Sequence, residues 1–150
     1  MIKFKRLNVG FYITLLSFIS AVVSLIMFMA TYSVFKYSFN RWVFFMTFLS
    51  IWAMGFMLVN TFLVGDKPFW VSYVYVLISV MLVLSLVKFI NPCLSPIGIY
   101  FTVHNMGDVE TNAIGVPYSL VTAGFYLVAI ISNLVASFLP SVKKDKRGNV

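Results

Sequence analysis

One histidine and two carboxylates stand close together at His104, Asp108 and Glu110, within the stretch TVHNMGDVETNAIGVP (102–117). These side-chain types can ligate a divalent metal, and on a helix His104 and Asp108 would share a face at i, i+4. Gly107 interrupts such a helix, however, and three ligands without a second histidine make a poor zinc set. The single cysteine, Cys93, forms no CxxC pair and permits no intrachain disulfide. The expectation is therefore no metal and no other cofactor. Asp108 instead suits the cap of a short helix, with Glu110 near its positive N-terminal end or paired with Lys88. His104, Asn105, Asp108, Glu110 and Asn112 then form a polar segment that a protein partner can read.

A second set of polar groups lies inside apolar runs: Thr14, Ser17, Asn60 and Asn133. Asn60 is four residues from Val64, or ~6 Å at 1.5 Å per residue, and Asn133 is six from Leu139, or ~9 Å. Thr14 and Ser17 reach a similar depth from Val9. Amides facing lipid are costly, so these four residues are expected to form one inward-facing layer. No Ser/His/Asp order in plausible context, Gly-rich phosphate loop or paired carboxylates accompany them, so an enzyme is not expected.

The elements that carry these residues follow from composition. Of 150 residues, 61% are hydrophobic and 10% charged, against roughly 45–50% and about 25% in soluble domains. A globule this small cannot bury so much apolar surface, whereas lipid accepts it. Uncharged runs mark four spans at about 9–30, 42–64, 69–87 and 118–139, each near the ~20 residues that cross ~30 Å of hydrocarbon. Helices satisfy their own backbone in lipid, so the fold class is an all-α membrane protein, a four-helix transmembrane bundle forming one domain. The first run is too long for a cleaved signal peptide and reads as a true span.

The net charge of +7 arises mainly at the ends, from Lys3, Lys5, Arg6, Lys143, Lys144, Lys146 and Arg147. Basic clusters flanking apolar spans favour anionic lipid over nucleic acid, and they place both termini, including the tail 140–150, in the cytoplasm of a cell-membrane protein. Residues 88–116 then form a long, structured outer loop. In it, Pro92 and Pro96 are expected to forbid a regular helix, GIYFTVH (98–104) to be extended, and Pro117 to open the last span. Trp42, Trp70, Tyr32, Tyr37, Tyr73 and Tyr118 lie near span ends, as interfacial aromatic residues do. Small-xxx-small spacings (Ser17/Ala21, Ser20/Ser24, Ser132/Ala136, Ala129/Asn133/Ser137) suit close helix packing in the first and last spans.

Tetraspanins share four spans and a long last loop, but their Cys-Cys-Gly motif is absent here. The segment from Tyr100 to Val142, a polar FTVHNMGDVETNA leading into a last span with a basic tail, resembles small four-span membrane proteins of Gram-positive bacteria. The resemblance covers under a third of the chain and implies fold and membrane location alone. Proton-coupled carriers place ionisable groups within their spans, and the small multidrug exporters need a carboxylate in the first. Here the four runs hold none but tyrosine. The expected role is an accessory, structural or regulatory subunit of a larger membrane complex, partnered by another membrane protein or by itself. The alternative is a small oligomeric pore or carrier for an ion or small solute.

Overall fold

With no water to take up backbone N–H and C=O groups, long apolar runs become helices. The computed structural model describes residues 8–35, 40–64, 70–102 and 109–140, and these hold four helices: α1 (Val9–Phe35), α2 (Arg41–Val64), α3 (Trp70–Thr102) and α4 (Val109–Phe138). All four are long and apolar enough to cross a membrane. Asn8 caps α1 by accepting from the Val9 N–H at 2.9 Å, and Asn40 caps α2 by accepting from the Trp42 N–H at 3.2 Å.

Successive helices pack side by side and α4 closes on α1, so α1 faces α3 and α2 faces α4 across the diagonals. Bulky side chains such as Ile26, Phe48, Trp52, Phe56, Leu77 and Ile131 point outward. The inside is a column of Ala21, Met54, Tyr75, Ile78, Leu82, Tyr126 and Ala129. This inversion relative to a soluble bundle, with the largest apolar groups outside, is what lipid permits. Trp70, Tyr73 and Tyr12 are exposed toward one end, and Trp42, Tyr32 and Tyr118 toward the other.

The tightest pairing is α1 on α4. Ser17, Ser20, Ala21 and Ser24 of α1 are buried, as are Ala129, Ser132, Asn133 and Ala136 of α4. At the end of this seam, a Cβ on Gly10 would fall 2.8 Å from the Pro140 carbonyl oxygen and 2.9 Å from that of Leu139. Only glycine allows that approach, and it holds both ends of the described chain at one end of the bundle.

The structure corrects the sequence reading of residues 88–117. Pro92 and Pro96 do not stop α3, which runs through Lys88 to Thr102, and Gly98–Thr102 are helical rather than extended. The two prolines withdraw only the N–H groups that would serve the Lys88 and Pro92 carbonyls, and the helix persists while Phe89 and Cys93 stay packed with Phe28 and Val43. Alternation of β-branched and aromatic residues is also what a helix apolar on every face looks like, so it does not select a strand. Likewise, Pro117 lies inside α4 rather than in its first turn, because the expected short helix and the last span are one continuous helix from Val109. Val103 to Asp108 lie outside the described residues.

The 33-residue α3 and 30-residue α4 outrun the 27-residue α1 and 24-residue α2. Pro92 and Cys93 line a small cleft with Tyr32 and Asn40, so they mark the level at which α2 begins. The nine residues from Leu94 to Thr102 continue for ~13 Å beyond it. Leu94, Ile99, Tyr100 and Phe101 are exposed along this extension.

Candidate functional site

Serine and threonine hydroxyls on an apolar helix can return their proton to the carbonyl one turn back and keep an acceptor lone pair for a neighbour. The bundle interior uses this device repeatedly. Thr14 Oγ1 donates to the Gly10 carbonyl at 2.8 Å, so the 2.9 Å contact between Thr14 Oγ1 and the Tyr75 hydroxyl has tyrosine as donor. Thr47 Oγ1 likewise donates to the Val43 carbonyl at 2.7 Å and accepts from the Tyr126 hydroxyl at 2.7 Å. These two bonds cross the two diagonals of the bundle, α1 to α3 and α2 to α4. Thr31 and Thr122 also meet, at 3.3 Å, but each hydroxyl already donates within its own helix, leaving that contact without a proton.

Around Thr14 the polar groups converge. Ser17 Oγ reaches the Ala129 carbonyl at 2.7 Å and lies 3.4 Å from the Met54 sulfur, tying α1 to α4 and α2. Asn133 is fully buried, and its Nδ2 donates to the Tyr75 carbonyl and to Ser79 Oγ, both at 2.8 Å. Ser79 Oγ donates in turn to the Tyr75 carbonyl at 3.0 Å. Both amide protons of Asn133 are therefore used, while its Oδ1 is buried with no hydrogen-bond partner. Turning the amide over would set Oδ1 against the Tyr75 carbonyl, so the observed orientation is the better of the two. A buried acceptor left unpaired costs about 1–3 kcal/mol, and among the described residues Asn133 is the buried side chain that carries one.

The structure thus brings Thr14, Ser17 and Asn133 to the α1–α3–α4 core near the end of the bundle that holds both ends of the described chain. It does not join Asn60 to them: Asn60 is only half-buried and shares no hydrogen bond with Asn133. Tyr75, Ser79, Thr47 and Tyr126 were not anticipated as members. For Tyr75 and Tyr126 the one signal is a hydroxyl-bearing ring away from the charged ends, since a buried tyrosine O–H needs a partner; Ser79 and Thr47 carry no such signal.

His104, Asn105 and Asp108 lie outside the described residues, and for Glu110 and Asn112 the helix backbone of α4 is described but not the side chains. Among the described residues, no group of three His, Cys, Asp and Glu could hold a metal. The arrangement has no nucleophile–base pair; what it offers chemically is interhelical locking by neutral hydroxyls and one amide.

A shallow cleft of about 250 Å³ opens between α2 and α3, lined by Trp42, Val43, Met46, Leu84, Ser85 and Lys88. It faces outward, away from the Asn133 group. Compared with protein-family models, curated proteins and solved structures, the chain matches none.

Proposed function

We propose that this protein is a non-enzymatic accessory, structural or regulatory subunit of a larger complex in the cell membrane, with both termini in the cytoplasm and the tip between α3 and α4 outside. The observation that carries this reading is the filled axis of the bundle. Tyr75, Tyr126, Met54, Ile78 and Leu82 are fully or almost fully buried along it, and the two tyrosines brace it across both diagonals. A bundle braced in this way is a rigid body suited to presenting surfaces. The surface offered furthest from the bundle is the extension of α3, with Leu94, Ile99, Tyr100 and Phe101 exposed. The polar residues His104, Asn105, Asp108, Glu110 and Asn112 follow this segment in the sequence and complete the partner-binding region in this proposal.

Tagged protein purified from its native membrane in mild detergent tests the reading. Stoichiometric co-purification of one membrane protein supports it, more so if Phe101→Ser together with Tyr100→Ser weakens the association. Recovery as a homogeneous species without a partner rejects the subunit role.

The second reading, an oligomeric pore or carrier, draws on the unpartnered Oδ1 of Asn133 and the buried hydroxyls of Thr14, Ser17 and Ser79 toward the same end of the bundle. Solute or ion flux in liposomes containing the purified chain alone, reduced by Asn133→Leu, would favour it.

A further inference from the structure

We propose that the α2–α3 cleft is a binding site for one anionic phospholipid, with the phosphate held at Lys88 and an acyl chain lying along Met46 and Leu84.

The shape of the cleft suits an amphiphile. Its wall is apolar, from Val43, Met46 and Leu84, with Ser85 as a single hydroxyl, and Lys88 closes one end. Lys88 is exposed and is the only charged residue of α3. It lies 18 residues beyond Trp70, or ~27 Å along the helix, which puts its backbone at the edge of a hydrocarbon core ~30 Å thick. From there the ammonium group reaches the phosphate plane along its own aliphatic stem. Trp42 lines the same cleft and is 68% exposed, with its indole placed at the depth where such rings meet headgroups. Arg41 precedes it at the start of α2 and is exposed, but Lys88 is the one cation that lines the groove.

Charge decides between occupants. The chain's four acids are Asp66, Asp108, Glu110 and Asp145, and the acid nearest in sequence to either cation is Asp108, twenty residues beyond Lys88. A second copy docked by a two-fold axis through this groove would bring Lys88 toward its own equivalent. A helix of another protein would have to bring an acid to the membrane edge at this height. A phospholipid bearing a net negative charge supplies both the anion and the chain from the surrounding bilayer. The smaller cleft on the other side of Lys88, lined with Tyr32 and Asn40, adds a hydroxyl and an amide within the same headgroup region.

Native mass spectrometry of the full chain in detergent tests this. The chain is mixed with equal amounts of phosphatidylglycerol and phosphatidylcholine carrying identical acyl chains. The expected result is one retained phosphatidylglycerol, favoured about fivefold over phosphatidylcholine through Lys88. Lys88→Gln should remove most of that preference, and Lys67→Gln, which deletes a cation elsewhere, should leave it intact. Equal retention of the two lipids overturns the proposal, as does a preference that survives Lys88→Gln or disappears equally with Lys67→Gln. Displacement of the bound lipid by inorganic phosphate alone also overturns it, since the site would then recognise a free anion. Lys88 is exposed, so its substitution leaves the packed core untouched.

Discussion

Tyr75 and Thr14 hydrogen-bond at 2.9 Å from diagonally opposed helices, and the tyrosine is the donor because the threonine proton belongs to Gly10. The direction of that bond sets the outcome of each substitution. Tyr75→Phe leaves Thr14 satisfied within its own helix and removes only the cross-bundle term. The expected loss is ~0.6 kcal/mol, with ~1.7 as the ceiling found for comparable membrane bonds. A double-mutant cycle of Tyr75→Phe with Thr14→Val, followed by unfolding in mixed micelles, measures the coupling; zero coupling would remove the bracing role.

Asn133 should tolerate removal better than replacement by a charge. In Asn133→Ala the Tyr75 carbonyl keeps its helix bond and the Ser79 hydroxyl, and the unpaired Oδ1 disappears. The net change should stay within about 1 kcal/mol. Asn133→Asp puts a carboxylate against the Tyr75 carbonyl, and the ~2.5–3.5 kcal/mol that an acid costs at the centre of a membrane helix is the ceiling for this position nearer the span end. Thermal melts of the two variants in one detergent should therefore separate clearly, and equal melts would contradict the hydrogen-bond assignment.

Asn60 and Asn133 should act independently. Since no hydrogen bond links them, Asn60→Leu and Asn133→Leu are expected to add within about 0.3–0.5 kcal/mol. Coupling beyond that range would restore the single layer.

Two glycines should respond in opposite directions. Gly10→Ala drives a methyl into the Leu139 and Pro140 carbonyls, which are backbone and cannot turn aside, so about 1–3 kcal/mol of destabilisation is expected. At Gly55 the nearest atom is the Phe18 ring at 3.5 Å, ordinary contact, and Gly55→Ala should stabilise α2 by up to ~1 kcal/mol. Melting of both variants beside the parent chain checks the pair.

The proposed orientation is tested by cysteine labelling in intact cells. Cys93 is buried, so the native background should be low. Asp108→Cys should react with an impermeant reagent, and Asn149→Cys should react only after permeabilisation. Reaction at 149 in intact cells reverses the topology.

The four spans were legible because a run without charge is a one-dimensional signal. Depth along a helix was legible too: Thr14, Ser17 and Asn133 do sit near the same end. Direction around the helix was not. These helices are apolar on all sides, so nothing in the pattern told Asn133, which faces α3, from the half-buried Asn60. One of the two acceptors that Asn133 uses is a main-chain carbonyl, which every residue possesses and no sequence advertises. Proline misled for a related reason: its local penalty is visible in the sequence, whereas the packing of Phe89 and Cys93 with Phe28 and Val43 that holds the same stretch of helix is not.

Cys93 of α3 lies against Ser119 of α4, so the proline pair Pro92 and Pro96 and the single Pro117 sit at one height on adjoining antiparallel helices. Three backbone donors are missing from that one cross-section, at the level where the helix pair leaves the bundle. Bending stiffness in a helix comes from its i→i−4 bonds, and it falls where they are absent. The bundle below is cross-tied by hydroxyls, and the projecting segment above is joined to it through this compliant section. A load applied at the tip would be taken up as tilt there before it disturbed the Tyr75 and Tyr126 braces. The molecule is in mechanical terms a stiff base carrying an arm on a flexure.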